Sequence, residues 1–173
     1  GVYMLGETGA DPMVALSRDR SAAATGVRTA LLHGSSEDGR YAVFQVVQQG
    51  VRLTDDSPDR GGQARHIYRY DSETDTLLSI GATRHNQWNE MDGVQKMTPD
   101  GKTIFFLSRL VQAPGAVDGR SNLYVWREGE PLELVRTSDV GSTGAQTNGW
   151  LRVMSRNGRY FMFTDNSFGI AQQ

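Results

Sequence analysis

The densest run of chemistry-bearing side chains is residues 81–92, which hold Arg84, His85, Asn86, Trp88, Asn89, Glu90 and Asp92. Cations, acids and an imidazole beside an indole suit a platform for a polar ligand or a glycan. The indole offers a stacking face, and the other groups donate and accept hydrogen bonds. Trp150 is a further ligand-binding candidate, at the start of a strand. The plainer reading makes 81–92 a solvated loop and both tryptophans packing groups. Asp55, Asp56 and Asp59 lie close together and are weak calcium candidates. Calcium takes about six to eight oxygens, and no Asp-x-Asp-x-Asp-Gly order supplies them here. Loop solvation explains these acids as well, and no other cofactor is expected.

Several chemistries are disfavoured by what the 173 residues omit. There is no cysteine, so disulfides, thiol catalysis and Cys-based zinc sites are out. His33, His66 and His85 sit in different elements, and no His-Glu-x-x-His or Gly-x-Ser-x-Gly motif occurs. No full Gly-x-x-x-x-Gly-Lys-Ser/Thr phosphate-binding loop or dinucleotide fingerprint is present. A net charge of −2 carries no nucleic-acid footprint. The longest apolar runs are too short for a membrane-spanning helix. No charged segment leads into an apolar one, so no signal peptide is expected within these residues. The chain starts at Gly1 rather than Met, and an upstream segment is expected to have been removed. No catalytic residue is assigned.

The elements that position these residues are repeats. Ser36-Glu37-Asp38-Gly39-Arg40-Tyr41, Thr98-Pro99-Asp100-Gly101-Lys102-Thr103 and Ser155-Arg156-Asn157-Gly158-Arg159-Tyr160 share a hydroxyl residue, Asp-Gly or Asn-Gly, a basic residue and a following apolar strand. Asn, Asp and Gly all tolerate positive φ, so each pair reads as a hairpin turn. A second element repeats after the turn. Ile67, Tyr68 and Tyr70 match Leu123, Tyr124 and Trp126 in alternating strands, each followed by a polar turn and another strand. The unit is four strands, a to d. Strands a, b, c and d fall at about 29–34, 41–47, 66–71 and 76–80, then at 93–98, 103–108, 122–127 and 131–137. A final a–b pair falls at 150–155 and 160–165, and an initial c–d pair at Val2–Gly6 and Met13–Ser17. No segment keeps a helical period. The strand aromatics, Tyr68 and Tyr124 among them, are expected in the core between sheets, with Arg69 and Arg127 covering exposed faces.

The three turns and the Ile67–Asp71 and Leu123–Trp126 strands resemble the repeats of bacterial TolB-like and WD40-like β-propellers. The resemblance implies an all-β fold of four-stranded antiparallel blades. About three blades' worth of strands are present: strands c–d in 1–18, full blades in 27–81 and 92–138, and strands a–b in 149–166. Three blades do not close a ring, which takes about four to eight. The remaining blades are expected from a longer chain or from a homodimer that completes the ring. In such a fold the a–b and c–d turns share one end, and the long connections 48–65, 81–92, 109–121 and 138–149 share the other. The expected function is non-catalytic: an interaction module that binds a protein or a glycan through its b–c and d–a loops. Two alternatives are part of a propeller-type hydrolase or lyase, or its gating domain, with the site at the channel mouth, and a structural assembly subunit. Convergence of Arg84, His85, Glu90 and Asp92 in one pocket would favour an enzyme. The resemblance also implies a periplasmic, cell-surface or secreted location.

Overall fold

A computed structural model describes residues 1–5, 13–22, 26–84, 92–137 and 152–163. Twelve strands and no helix occur among them. The chain divides into two compact units, 1–85 and 86–173. In the first, β1 (Tyr3–Met4) and β2 (Val14–Ala15) form an antiparallel pair. β3 (Ala30–Ser35), β4 (Tyr41–Val46), β5 (Ala64–Asp71) and β6 (Thr76–Arg84) form a four-stranded antiparallel sheet in chain order. The second unit repeats this sheet with β7 (Gly93–Met97), β8 (Thr103–Ser108), β9 (Asn122–Arg127) and β10 (Glu133–Thr137). A hairpin of β11 (Arg152–Met154) and β12 (Phe161–Phe163) accompanies it. The all-β expectation holds, and every expected strand is present within a few residues of its expected place.

The three repeated turns are built alike. Ser36 Oγ donates to Asp38 Oδ1 at 2.5 Å and accepts the Tyr41 amide at 2.8 Å, while the Arg40 amide donates to Asp38 Oδ1 at 3.0 Å. Thr98, Asp100, Lys102 and Thr103 make the same three bonds, in the same order, at 2.6, 2.9 and 3.0 Å. Ser155, Asn157, Arg159 and Tyr160 make them at 2.8, 2.9 and 3.1 Å. Positive φ falls on the glycine alone, at 75° for Gly39, 69° for Gly101 and 67° for Gly158. This corrects the expectation that Asp or Asn shares it. Their side chains instead cap the turn, an Asx device that satisfies the amide two residues on. The only described non-glycine with positive φ is Asp75, in the β5–β6 turn.

The hydrogen bonds of Asp38, Asp71, Asp75 and Asp100 have a pH consequence. The Ser36 hydroxyl, the Arg40 guanidinium, the Arg20 guanidinium and the Thr98 hydroxyl, respectively, hold these carboxyls below their ordinary value of 3.8. A depressed folded pKa contributes stability above the unfolded value that is lost as pH falls through the folded one. Unfolding midpoints are therefore expected to fall below about pH 4 from these groups, read by urea titration at stepped pH.

Bulges repeat as well. β3 carries one at His33, between Leu32 and Gly34, and β7 carries one at Gln95, the aligned position. β6 carries one at Ile80 and β10 at Val135, opposite the steps next to Tyr68 and Tyr124. Bulges twist edge strands and blunt them against stray pairing.

Each sheet has a two-stranded neighbour on one face. Val2 and Leu16, beside β1 and β2, pack on Phe44, Val46, Tyr68 and Tyr70. Met154 and Phe161 of the last hairpin pack on Phe105, Leu107, Leu123 and Val125, with the Phe105 and Phe161 rings stacked at 4.5 Å. Counted from Gly39 and Gly101, Phe44 aligns with Phe106, whose side chain points opposite to that of Phe105. The two hairpins therefore cover opposite faces of the repeat.

Two strand-face expectations change. Arg69 does not cover an exposed face: it is buried, with its guanidinium 4.1 Å from the centre of the Tyr41 ring. Arg40 stacks on the same ring at 4.9 Å and holds Asp71 through Nε and Nη2 at 3.1 and 2.8 Å. Cation–π attraction to the Tyr41 ring helps make the burial of Arg69 tolerable, and the forked ion pair fixes Arg40 beside it. Arg127 is half-buried and pairs with Glu133 at 2.9 Å. Tyr160 is exposed rather than core, because it sits at the turn end of a two-stranded hairpin.

Candidate functional site

In each four-stranded sheet the two tight turns lie at one end. The Ser72 amide donates to Arg40 O, and the Glu128 amide to Lys102 O, both at 2.9 Å. An antiparallel meander then forces the long β4–β5 and β8–β9 connections to the opposite end. Both connections are fastened by one tyrosine. Tyr68 is fully buried, and its hydroxyl accepts the Leu53 amide at 2.7 Å and bonds Ser57 Oγ at 2.9 Å. Tyr124, its aligned partner, is also fully buried. Its hydroxyl donates to Leu110 O at 2.6 Å and accepts the Gln112 amide at 3.2 Å. The core expectation for these residues is right about the ring and misses the hydroxyl.

The position two residues before each tyrosine differs between the sheets. In the second it is Asn122, fully buried. Its Nδ2 donates to the carbonyls of Ser108, Val117 and Arg120 at 3.3, 3.0 and 3.0 Å. Its Oδ1 accepts the Val117 amide at 3.1 Å and the Thr137 hydroxyl at 2.7 Å. One side chain thus closes the loop. In the first sheet the place belongs to His66, 1% exposed, whose Nδ1 has no partner. That loop closes through its main chain instead. The Gly50 amide donates to Ala64 O at 2.7 Å, and Gly50 lies so close to Gly62 that a Cβ would sit 3.1 Å from its carbonyl oxygen. Gly50 also has φ 67°, so glycine is required twice over.

His66 has its own pH signature. Burial first, then the charges of Arg60 and Arg52, push its pKa down to about 4, against the opposing pull of Asp59. The folded ring resists protonation more than the unfolded one does. Stability is therefore expected to be full above about pH 6.5 and to fall by about 2 kcal/mol by pH 5. His66→Asn is expected to flatten that slope, measured by urea unfolding at stepped pH.

Residues 20–22 join this loop. The Arg20 amide donates to Leu53 O at 2.6 Å, and the Ala22 amide to Asp55 Oδ2 at 3.0 Å. Asp59 Oδ1 accepts the Gly61 amide at 2.8 Å, within its own turn, and Asp56 is exposed. Two of the three calcium candidates thus hold backbone amides. Among the described residues, no three His, Asp or Glu side chains form a group suited to a metal ion. In the second unit, an open groove of about 470 Å³ runs between Ala113 and Pro114 of the β8–β9 loop and Pro131, Leu132 and Leu134.

Of the other sequence candidates, Arg84 and Asp92 are among the described residues. β6 runs to Arg84, so residues 81–84 are strand rather than loop. Ala82 and Thr83 pair there with His66 and Arg65 because β5 itself starts at Ala64. Arg84 is half-buried at the end of β6, and Asp92 is half-buried just before β7, in the other unit. His85, Asn86, Trp88, Asn89, Glu90 and Trp150 lie outside the described residues, as does the connection 138–149. The Tyr hydroxyls carry no sequence signal beyond their alignment. The exchange of His66 for Asn122 is visible once the two c strands are aligned. In comparisons with known proteins, no family model, curated protein or solved structure matches this chain.

Proposed function

We propose that the chain is a run of β-propeller blades of the TolB-like and WD40-like kind, acting as a non-catalytic interaction module. It binds a protein or a glycan through its long b–c and d–a loops. The observation that carries this reading is the shared tether: one buried tyrosine hydroxyl fastens the b–c loop in both sheets. Loops of different sequence are thereby held in defined shapes, which lowers the ordering cost of binding. The propeller reading is supported by four-stranded meanders that repeat with their turns and bulges, each covered on one face by a further antiparallel pair. The extracytoplasmic location follows from the resemblance.

The remaining blades come from a longer chain or from a second copy. Supporting this, Phe44 stands opposite Tyr68 and Phe106 opposite Tyr124, with ring centres 5.9 and 5.3 Å apart. By sequence, Phe163 on β12 and Tyr3 on β1 occupy the two halves of that same pattern. The test is a glycan array together with photo-crosslinking in an extract of the source cells. Replacing residues 51–61 or 110–120 by a Gly-Ser linker of equal length is expected to abolish capture while strand amide signals persist. Capture that survives both replacements overturns the reading.

A further inference from the structure

We propose that the open groove between the β8–β9 loop and the start of β10 is a docking site for an extended, arginine-bearing segment of a partner protein. The proposal rests on the interaction-module reading and narrows it to one groove and one kind of peptide.

The first unit contains the template. There residues 20–22 bridge the β4–β5 loop and the β5–β6 turn. The Arg20 amide donates to Leu53 O at 2.6 Å and the Ala22 amide to Asp55 Oδ2 at 3.0 Å, both in the loop. The Arg20 guanidinium donates through Nη2 to Asp75 Oδ1 at 2.7 Å and through Nη1 to Asp75 O, both in the turn. It also lies over the Tyr70 ring, 5.5 Å from its centre. A short stretch of chain thus ties loop to turn, with one arginine as its anchor.

The second unit offers the same two walls. Its groove, of about 470 Å³, runs between Ala113 and Pro114 of the loop and the residues that follow the β9–β10 turn. That volume falls within the usual range for ligand clefts, about 300–1,000 Å³. Continued by two residues, the Glu133–Val125 register sets Pro131 opposite Arg127, as Thr76 stands opposite Asp71. Glu130 therefore takes the place of Asp75. It is exposed on the rim and lies 3.7 Å from Arg127, beyond hydrogen-bond distance, while Glu133 holds that guanidinium at 2.9 Å. Two rim carboxylates share one cation.

The walls select the occupant. Leu132 and Leu134 give an apolar side, and the two acids beside them suit a guanidinium with apolar neighbours. Residues 85–91 and 138–151 contain no arginine or lysine, so the cation comes from another chain.

The experiment is an NMR titration of the whole chain with the end-blocked peptide Ser-Val-Arg-Val-Ser, against Ser-Val-Ala-Val-Ser. The arginine peptide is expected to shift the Ala113, Leu132 and Leu134 amides saturably, and the alanine peptide to bind at least about tenfold more weakly. Glu130→Gln with Glu133→Gln is expected to weaken binding by a similar factor with strand amide signals unchanged. Leu132→Ser is expected to weaken it too, which attraction between charges alone would not produce. The proposal is overturned if the two peptides bind equally, or if the glutamine double variant binds as well as the parent. Groove amides that shift with protein concentration alone would seat a second copy there and also overturn it. A silent titration alongside intact loop-dependent capture removes this site and leaves the interaction-module reading standing.

Discussion

Phe106→Ala is expected to destabilise the second unit by about 3–5 kcal/mol, with the midpoint of urea unfolding falling accordingly. Phe106 is fully buried in the middle of β8, paired with Tyr124 across the strands, with its ring 5.3 Å from the tyrosine ring. Truncation removes the transfer free energy of a benzyl group and leaves a void that rigid strands cannot collapse around. The void also frees the Tyr124 ring that carries the loop-fastening hydroxyl. Phe106→Leu keeps most of the volume, and its cost is expected to be well under half as large. Equal costs for the two variants would show that packing at this pair is not what matters.

Asn122→Ala is expected to cost about 3 kcal/mol or more, although it deletes only a small polar group. The carbonyls of Ser108, Val117 and Arg120 lose a donor, and the Val117 amide and the Thr137 hydroxyl lose an acceptor. Each group left buried and unsatisfied costs about 1–3 kcal/mol, less whatever water recovers as the loop opens. Limited proteolysis is expected to cut within residues 109–121 in the variant and not in the parent. Asn122→Asp keeps the acceptor, loses the donors and buries a charge, so it is expected to be no better. A cost below about 0.5 kcal/mol would show that this loop closes without its asparagine.

Much of the fold is legible in the sequence because its punctuation is chemical. A glycine that must adopt positive φ, a hydroxyl three residues before it and a capping Asp or Asn between them specify one turn, and that turn occurs three times. The alternation after it sets which aromatics go inside. Other features escape that logic. Arg69 reads as a surface residue, and its guanidinium is instead buried against the Tyr41 ring across the strands. Residues 81–84 read as loop because β6 is fixed by pairing to β5 rather than by its own composition. The candidate site is less legible still. Alternation places Tyr68 and Tyr124 in the core but says nothing about the far end of each ring, where the hydroxyl meets a loop distant in sequence. The His66–Asn122 exchange is written in the sequence, but its meaning depends on how each loop satisfies its own backbone.

Scaffold tyrosines hold the long loops in place, and hydrogen exchange at the Leu53 amide reads that hold out. In the parent chain this amide donates to Tyr68. It is expected to exchange slowly, and Tyr68→Phe is expected to speed it at least tenfold, about 1.4 kcal/mol, while amides of the β4–β5 ladder keep their rates. A Leu53 amide that exchanges at the rate of a free peptide in the parent, or at the same protected rate in both proteins, would show that Tyr68 does not hold this loop.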